Sequence, residues 1–96
     1  MTKLLERLQE YEPHQLEVEK AMEWVLANTE ARKTINKKHS SYGLKHVAEK
    51  WAKCYISNDA LIEAMIRCGY SAQQCSPASP NYFFNIKTLR SQYGNA

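Results

Sequence analysis

The stretch from Ile56 to Tyr70, ISNDALIEAMIRCGY, decides the fold because it carries the signals that begin and end a helix. Ser57 is a favourable N-cap residue, and Asp59 follows in the first turn, where the helix dipole favours an acidic side chain. Ile56 before the cap and Leu61 four residues after it match a hydrophobic staple. These features predict a helix that starts at Ser57 or directly after it.

The same stretch predicts where this helix ends and which side it buries. Gly69 can adopt the left-handed backbone that closes a helix, and Tyr70 can then pack back on Met65 as in a Schellman ending. Apolar residues recur at helical spacing on one side, namely Leu61, Ile62, Met65 and Ile66. We therefore expect the helix to end near Cys68.

Three more helices are predicted upstream. The i, i+3, i+4, i+7 pattern occurs at Leu44, Val47, Ala48 and Trp51, and it predicts a helix that begins at Ser40 or Ser41. Pro13 divides the first third of the chain, because proline favours the first turn of a helix. We expect one helix over 2–11, a second from Pro13 to about Thr34, and a polar, basic connection at 36–38.

The C-terminal third predicts a small β element beside these helices. Residues 71–80 are small and polar with two prolines, which is typical of a loop. The run 82–86, YFFNI, predicts a short strand that pairs with 54–56, and 87–93 predicts a last helical turn. The predicted fold class is mainly α: a compact bundle of about four helices with a minor two-stranded β pairing, in one domain over 1–96.

Composition narrows the class of protein. The chain is 44% hydrophobic and 24% charged, which is ordinary for a folded globular protein. It has no apolar run of the roughly 18 residues that a membrane span requires, and acids stand where a signal peptide needs apolar residues. Three cysteines are an odd number without a C-x-x-C pair. We expect a cytoplasmic protein with reduced cysteines and no membrane contact.

Charge is distributed unevenly along the chain. Residues 1–31 hold seven acids and three bases, whereas 32–96 hold ten bases and three acids. The basic part suggests an anionic partner. The alternative is that the acidic helices fold back and neutralise the basic ones.

Chemistry-bearing residues do not form a catalytic or metal-binding pattern. The spacings His39-x6-His46 and Cys68-x6-Cys75 differ from the short ligand pairs of structural zinc sites. Cys68 ends a helix, where the dipole disfavours a thiolate, and Cys54 is expected in a strand, so neither suits a nucleophile. Phosphate loops and paired carboxylates do not occur. We expect no enzyme, no metal and no cofactor.

A helix-turn-helix is the first binding motif to weigh. The helices predicted near 40–51 and 57–68 have suitable lengths, and Asn58 at the start of the second would lie near base edges. However, the connection is long and lacks glycine, and the second helix carries two acids and a single base, Arg67. A purely structural helix pair explains the pattern as well.

Tyrosines interleaved with lysines form the second candidate. Such a surface can stack nucleic-acid bases or serve as a protein interface. Trp24, Trp51, Phe83 and Phe84 are expected mainly to fill the core. The predicted binding residues, for a protein partner or for nucleic acid, are Lys37, Lys38, Tyr42, Lys45, Lys50, Lys53, Asn58 and Arg67.

Four short stretches resemble small proteins encoded by bacteriophages, prophages and other bacterial mobile elements. They are HSSYGLKH over 39–46, YISNDALI over 55–62, the pair Gly69-Tyr70, and NYFFNI over 81–86. The resemblance spans roughly 35–87, and it carries over no catalytic or binding residue. It implies a setting, since small phage-borne proteins commonly disable host machinery, including CRISPR effectors, or regulate phage genes.

The function predicted on this basis is non-catalytic macromolecular binding. The first hypothesis is an accessory protein that blocks a host protein or ribonucleoprotein complex, such as a CRISPR effector, by steric contact. Its contact face would be 36–53, or else the acidic helices at the start of the chain would mimic nucleic acid. The alternative is a helix-turn-helix-like DNA-binding transcriptional regulator. Nucleic acid as the partner and a homodimer are both compatible with the sequence.

Overall fold

The computed structural model describes the backbone of residues 2–89 and the side chains of residues 14–89. Its elements are α1 (Thr2–Asn28), β1 (Ala31–Ser40), α2 (Ser41–Ala52), α3 (Asn58–Arg67), β2 (Ala72–Gln74) and β3 (Tyr82–Ile86). The strands form one antiparallel sheet in the order β1-β3-β2. The predicted four-helix bundle with a two-stranded pairing is therefore wrong, because three helices pack beside a three-stranded sheet in a mixed α/β fold.

The first two predicted helices are a single helix, α1, which continues through Pro13. Proline disfavours a helix interior, but the residues beside Pro13 include no glycine or asparagine to form a turn. The helix ends six residues before the predicted end at Thr34. There the backbone N–H and the hydroxyl of Thr29 both donate to the carbonyl of Val25, at 3.0 and 2.7 Å.

The largest error in the sequence prediction is β1, which replaces the end of a helix and the basic connection at 36–38. Its pattern lacks the alternation of apolar residues that marks a strand, because the side chain it buries is the polar Asn36. The Asn36 amide donates to the carbonyl of Ile86 at 2.9 Å, and its oxygen accepts from the backbone N–H of Lys38 at 2.9 Å. Polar contacts with β3, rather than apolar periodicity, therefore hold this strand.

The predicted strand at 82–86 is confirmed as β3, but its partners differ from the prediction. It lies between β1 and β2, whereas 54–56 belongs to the connection between α2 and α3. The predicted loop at 71–80 contains β2, which pairs Ala72 with Phe84 and Gln74 with Tyr82. The predicted turn at 87–93 is not helical over 87–89, and its remainder lies outside the described residues.

The two best-signalled helices, α2 and α3, are confirmed, and so is the predicted N-cap of α3, Ser57. The hydroxyl of Ser40 accepts from the N–H of Gly43 at 3.3 Å, and that of Ser57 accepts from Ala60 at 3.1 Å. After α3, Gly69 has a φ of 94°, and the N–H of Tyr70 donates to the carbonyl of Met65 at 3.0 Å. This is the predicted Schellman ending.

One hydrophobic core connects the helices to the sheet. Its largest fully buried apolar side chains are Trp24, Phe84, Leu44, Ile56, Leu61, Met65, Ile86 and Val25. Phe84 and Ile86 alternate along β3, so this face of the sheet packs on the helices. Trp24 and Phe84 fill the core as predicted, whereas Trp51 is 42% exposed.

Among the residues that the structure describes, none of the helices α1, α2 and α3 is both long enough and apolar enough to cross a lipid bilayer.

Candidate functional site

The outer side of α2 and the segments on either side of it along the chain carry a set of exposed side chains. Tyr42, His46 and Lys50 lie four residues apart and therefore share one side of the helix, while Leu44 and Ala48 are buried on the opposite side. We name this surface the α2 face and define it by its exposed side chains: Lys37, Lys38, Tyr42, His46, Lys50, Lys53 and Tyr55.

Two tyrosine rings stand out on the α2 face because they are both exposed and held in place. Tyr42 is 55% exposed and Tyr55 is 64% exposed. The ammonium of Lys45 lies 5.8 Å from the centroid of the Tyr42 ring and 5.0 Å from that of Tyr55, within the range of cation–π attraction. His46 adds an edge contact to Tyr42, with ring centroids 4.7 Å apart. The rings are thus available to a partner and already oriented.

Lys45 was predicted to contact a partner, but in the structure its side chain is buried. It is 7% exposed, and its ammonium lies 3.2 Å from the Glu49 carboxylate, one helical turn away. An ammonium in this position contacts the two rings and Glu49 instead of solvent. Lys45 is therefore a positioning residue for Tyr42 and Tyr55.

Glu49 joins α2 to the connection that follows it. One carboxylate oxygen contacts the Lys45 ammonium at 3.2 Å and the ring of His46 at 3.1 Å, and the other accepts from the backbone N–H of Ile56 at 3.2 Å. Burial raises the pKa of Glu49, but the hydrogen bond from Ile56 and the Lys45 ammonium outweigh it, so the pKa lies below its ordinary value. The ionised carboxylate keeps the segment that carries Tyr55 against α2.

Four lysines of the α2 face have no acidic partner among the residues whose side chains are described. They are Lys37, Lys38, Lys50 and Lys53, and all are exposed. Elsewhere Lys20 is paired with Glu23 and Lys87 with Glu30, whereas Arg32 and Lys33 on β1 also lack an acidic partner among the described residues. The face therefore concentrates positive charge that the protein itself does not neutralise.

Two acids in the described part of α1 have partners other than the lysines of this face. Glu17 accepts from the backbone N–H of Ser57 at 2.8 Å, and Glu23 pairs with Lys20 on its own helix. Beyond the helix, Glu30 pairs with Lys87. These three acids thus stabilise α1, the start of α3 and the sheet. They do not pair with the lysines of the α2 face.

Asn58 and Arg67, which were predicted to bind a partner from α3, already have partners within the protein. The Asn58 amide donates to the carbonyl of Pro80 at 3.0 Å and to the side-chain oxygen of Asn81 at 3.1 Å. Arg67 pairs with Glu63 at 2.7 Å. The Asn58 contacts attach α3 to the loop before β3, while the Arg67–Glu63 pair lies within α3 and offsets its basic side chain.

The outer side of α3 forms an open groove with the loop before β3. Apolar side chains alternate with charged ones along it: Asp59, Ile62, Glu63, Ile66, Arg67, Ser79, Pro80 and Tyr82. The His14 ring hydrogen-bonds to Glu63 at 3.1 Å, and this contact lowers the pKa of that carboxyl group. Asp59 and Glu63 give the groove an acidic side that would repel phosphates.

The cysteines occupy three different settings. Cys54 is exposed in the connection between α2 and α3, which corrects its predicted place in a strand. Burial raises the pKa of the Cys68 and Cys75 thiols and so keeps them protonated at neutral pH.

Within residues 14–89, no three His, Cys, Asp or Glu side chains are grouped closely enough to hold a metal ion.

The α2 face also includes Tyr55 and His46, which were not among the predicted binding residues. The sequence places Tyr55 among the tyrosines interleaved with lysines, but Cys54-Tyr55-Ile56 has the composition of a strand, and the contact with Lys45 depends on how the connection folds back. Comparisons with protein-family models, with curated proteins and with solved structures give no match. The geometry of the α2 face is therefore the basis for a proposal about function.

Proposed function

We propose that this protein acts by non-catalytic binding of a larger macromolecular complex, which it contacts through the α2 face. The observation that carries the proposal is the placement of two exposed, pre-oriented tyrosines among four lysines that lack acidic partners. Exposed aromatic anchors that are already ordered lose little conformational entropy on binding, which favours affinity. The uncompensated positive charge favours a partner with an anionic surface.

The resemblance of 35–87 to small proteins of bacteriophages and mobile elements supplies the setting. Such proteins commonly disable host machinery, and a CRISPR effector is a ribonucleoprotein whose surface includes phosphates. A host ribonucleoprotein is therefore the partner we favour, and occupancy of its surface is the mode of inhibition. The α2 face, whose residues run from Lys37 to Tyr55, lies within the stretch that carries the resemblance.

A helix-turn-helix regulator is the less favoured function. The lengths of α2 and α3 suit that motif, but α3 would be its recognition helix. Asp59 and Glu63 lie on the outer side of α3, and its base Arg67 is paired with Glu63. A major-groove reading side needs basic or amide side chains in those positions.

Affinity capture from bacterial lysate tests the proposed function. The wild-type protein is compared with Tyr42→Ala/Tyr55→Ala and with the control Leu26→Ala, which removes an exposed apolar side chain from α1, far along the chain from the α2 face. Circular dichroism establishes that each variant is folded. Captured components are identified by mass spectrometry.

The expected result is a defined complex retained by the wild type and by Leu26→Ala and lost with the double tyrosine variant. Retention that is equal for all three proteins, or no retention by the wild type, contradicts the proposal.

A gel shift with duplex DNA, repeated over a range of salt concentrations, tests the regulator, since phosphate contacts weaken steeply with salt. Sequence-specific duplex binding would favour the regulator instead.

A further inference from the structure

We infer that the α2 face binds an unpaired nucleic-acid strand, with Tyr42 and Tyr55 stacking on bases and the lysines contacting phosphates. This inference deepens the proposed function, and it rests on that proposal in taking the α2 face as the binding surface. Its subject is the chemistry of the partner: a single strand of RNA or DNA, as opposed to a protein surface or a duplex.

The composition of the α2 face separates nucleic acid from protein as the partner. Protein interfaces are enriched in tyrosine and arginine but depleted in lysine. The α2 face has four exposed lysines and no arginine beside its two tyrosines. Aromatic side chains beside a positively charged groove are the usual means of holding single strands. The combination of tyrosine with lysine therefore favours a nucleic-acid strand.

The same side chains favour an unpaired strand over a duplex. The flat rings of Tyr42 and Tyr55 can stack on bases only where those bases are not already stacked within a double helix. Side chains that read base edges in the major groove are most often arginine, lysine, asparagine or glutamine, and of these the outer side of α2 has only lysine. Binding to the α2 face should therefore depend little on base sequence.

The Lys45–Glu49 pair supports this use of the tyrosines. Lys45 places its charge within 6 Å of both ring centroids, while Glu49 balances that charge and ties Tyr55 to α2 through the N–H of Ile56. Both rings are thereby ordered before a strand arrives. Since α2 has 12 residues, the face is about 18 Å long, which suits a short strand of several nucleotides.

Fluorescence anisotropy with labelled oligonucleotides tests the inference. The probes are oligo(U) and oligo(dT), each of about 12 nucleotides, and a duplex of matched length, so that all exceed the length of the face. We expect both single strands to bind at least about ten-fold more tightly than the duplex. Tyr42→Ala and Tyr55→Ala should each weaken binding about 5- to 150-fold, the range for loss of one stacked base.

Two further variants separate stacking from charge. Tyr55→Phe keeps the ring and should bind as the wild type does, because the Tyr55 hydroxyl makes no hydrogen bond within residues 14–89. Lys50→Gln should reduce the slope of log binding constant against log salt by about 0.7, the value for one phosphate contact on a single strand. Lys33→Gln is the matched control, since Lys33 is exposed on β1 outside the α2 face, and it should leave the slope unchanged.

Three results would overturn the inference. The first is that neither single strand binds at low salt, and the second is that strand and duplex bind equally. The third is that the tyrosine variants fold but bind as tightly as the wild type. Lysate capture could instead yield a nuclease-resistant protein complex that depends on the tyrosines, while no single strand binds. The α2 face would then contact protein, so the proposed function would stand and this inference would fail. Tyrosine-dependent strand binding without capture of a complex supports the inference and contradicts the proposed function.

Discussion

At the residue scale, Glu49 contributes most to the order of the α2 face. Its carboxylate is the shared partner of Lys45, His46 and the N–H of Ile56, and it is mostly buried. A residue with this many charged or hydrogen-bonded contacts stabilises the fold as well as the surface. Lys45 depends on it directly, because an ammonium that is 7% exposed needs a counter-charge.

We expect Glu49→Gln to lower the free energy of unfolding by about 2 kcal/mol, the cost of losing hydrogen bonds to a charged group. The amide keeps the shape of the side chain but leaves Lys45 without a counter-charge. Urea denaturation measures the change. The control is Glu23→Gln, which removes an exposed carboxylate that lies 3.7 Å from Lys20, and it should cost less than about 0.5 kcal/mol. Equal effects of the two variants would show that the contacts of Glu49 are energetically unimportant.

His39 predicts a dependence of stability on pH. Its Nε2 accepts a hydrogen bond from the N–H of Leu89 at 3.1 Å, which requires the neutral ring. Burial, and then the charge of Lys38, lower the pKa of His39 in the folded protein. Below about pH 6.5 the unfolded chain takes up a proton at His39 that the folded chain does not, so folding stability decreases as pH falls.

The comparison of wild type with His39→Gln isolates this contribution, because His14 and His46 are present in both proteins. Free energies of unfolding are measured in urea at several pH values between about 5 and 8. The wild type should lose more stability than His39→Gln as the pH falls through this range. Parallel curves would mean that His39 has the same proton affinity in the folded and unfolded chains.

At the scale of secondary-structure elements, the sequence predicted those elements whose signals are local. The caps at Ser40, Ser57 and Gly69 locate α2 and α3 because each acts within a few residues. It could not predict β1, since the interactions that hold β1 come from β3, some 50 residues away. The predicted break at Pro13 was wrong for a related reason: local preference did not decide the path of α1.

The same distinction applies to the candidate site. Lys37, Lys38, Tyr42, Lys50 and Lys53 were chosen by residue type, and the structure shows that all five are exposed, on α2 or on the segments directly before and after it. Residue type did not reveal that Lys45 is buried, nor that Tyr55 returns to meet it. Both facts depend on the connection between α2 and α3, whose conformation is fixed by Glu49 and Glu17.

Asn36 provides the test of β1 as an element. We expect Asn36→Ala to destabilise the protein by about 2 kcal/mol, because it leaves the buried carbonyl of Ile86 and the N–H of Lys38 without this partner. Thermal and urea unfolding measure the loss. Lys37→Ala changes the exposed neighbour on the same strand and should stay within about 0.5 kcal/mol of the wild type. A mild effect of Asn36→Ala would mean that other contacts hold β1.

At the scale of the whole molecule, charge is separated by surface. The described acids of α1 that have partners are engaged with α1 and α3, and the groove on α3 is acidic on one side. The α2 face carries its lysines without acidic partners among residues 14–89. This separation gives a small protein with a net charge of +3 one surface suited to an anionic partner.

Cys54 reports directly on that surface, since it is exposed between Lys53 and Tyr55. Iodoacetamide, which is uncharged, should alkylate Cys54 first, because burial raises the pKa of the Cys68 and Cys75 thiols and limits their thiolate form. Peptide mass spectrometry gives the rate at each site. If the α2 face binds a single strand, saturating oligo(U) should slow alkylation of Cys54 and leave the other two rates unchanged. In Tyr42→Ala/Tyr55→Ala this protection should disappear. A strand that binds without protecting Cys54 must lie elsewhere on the protein.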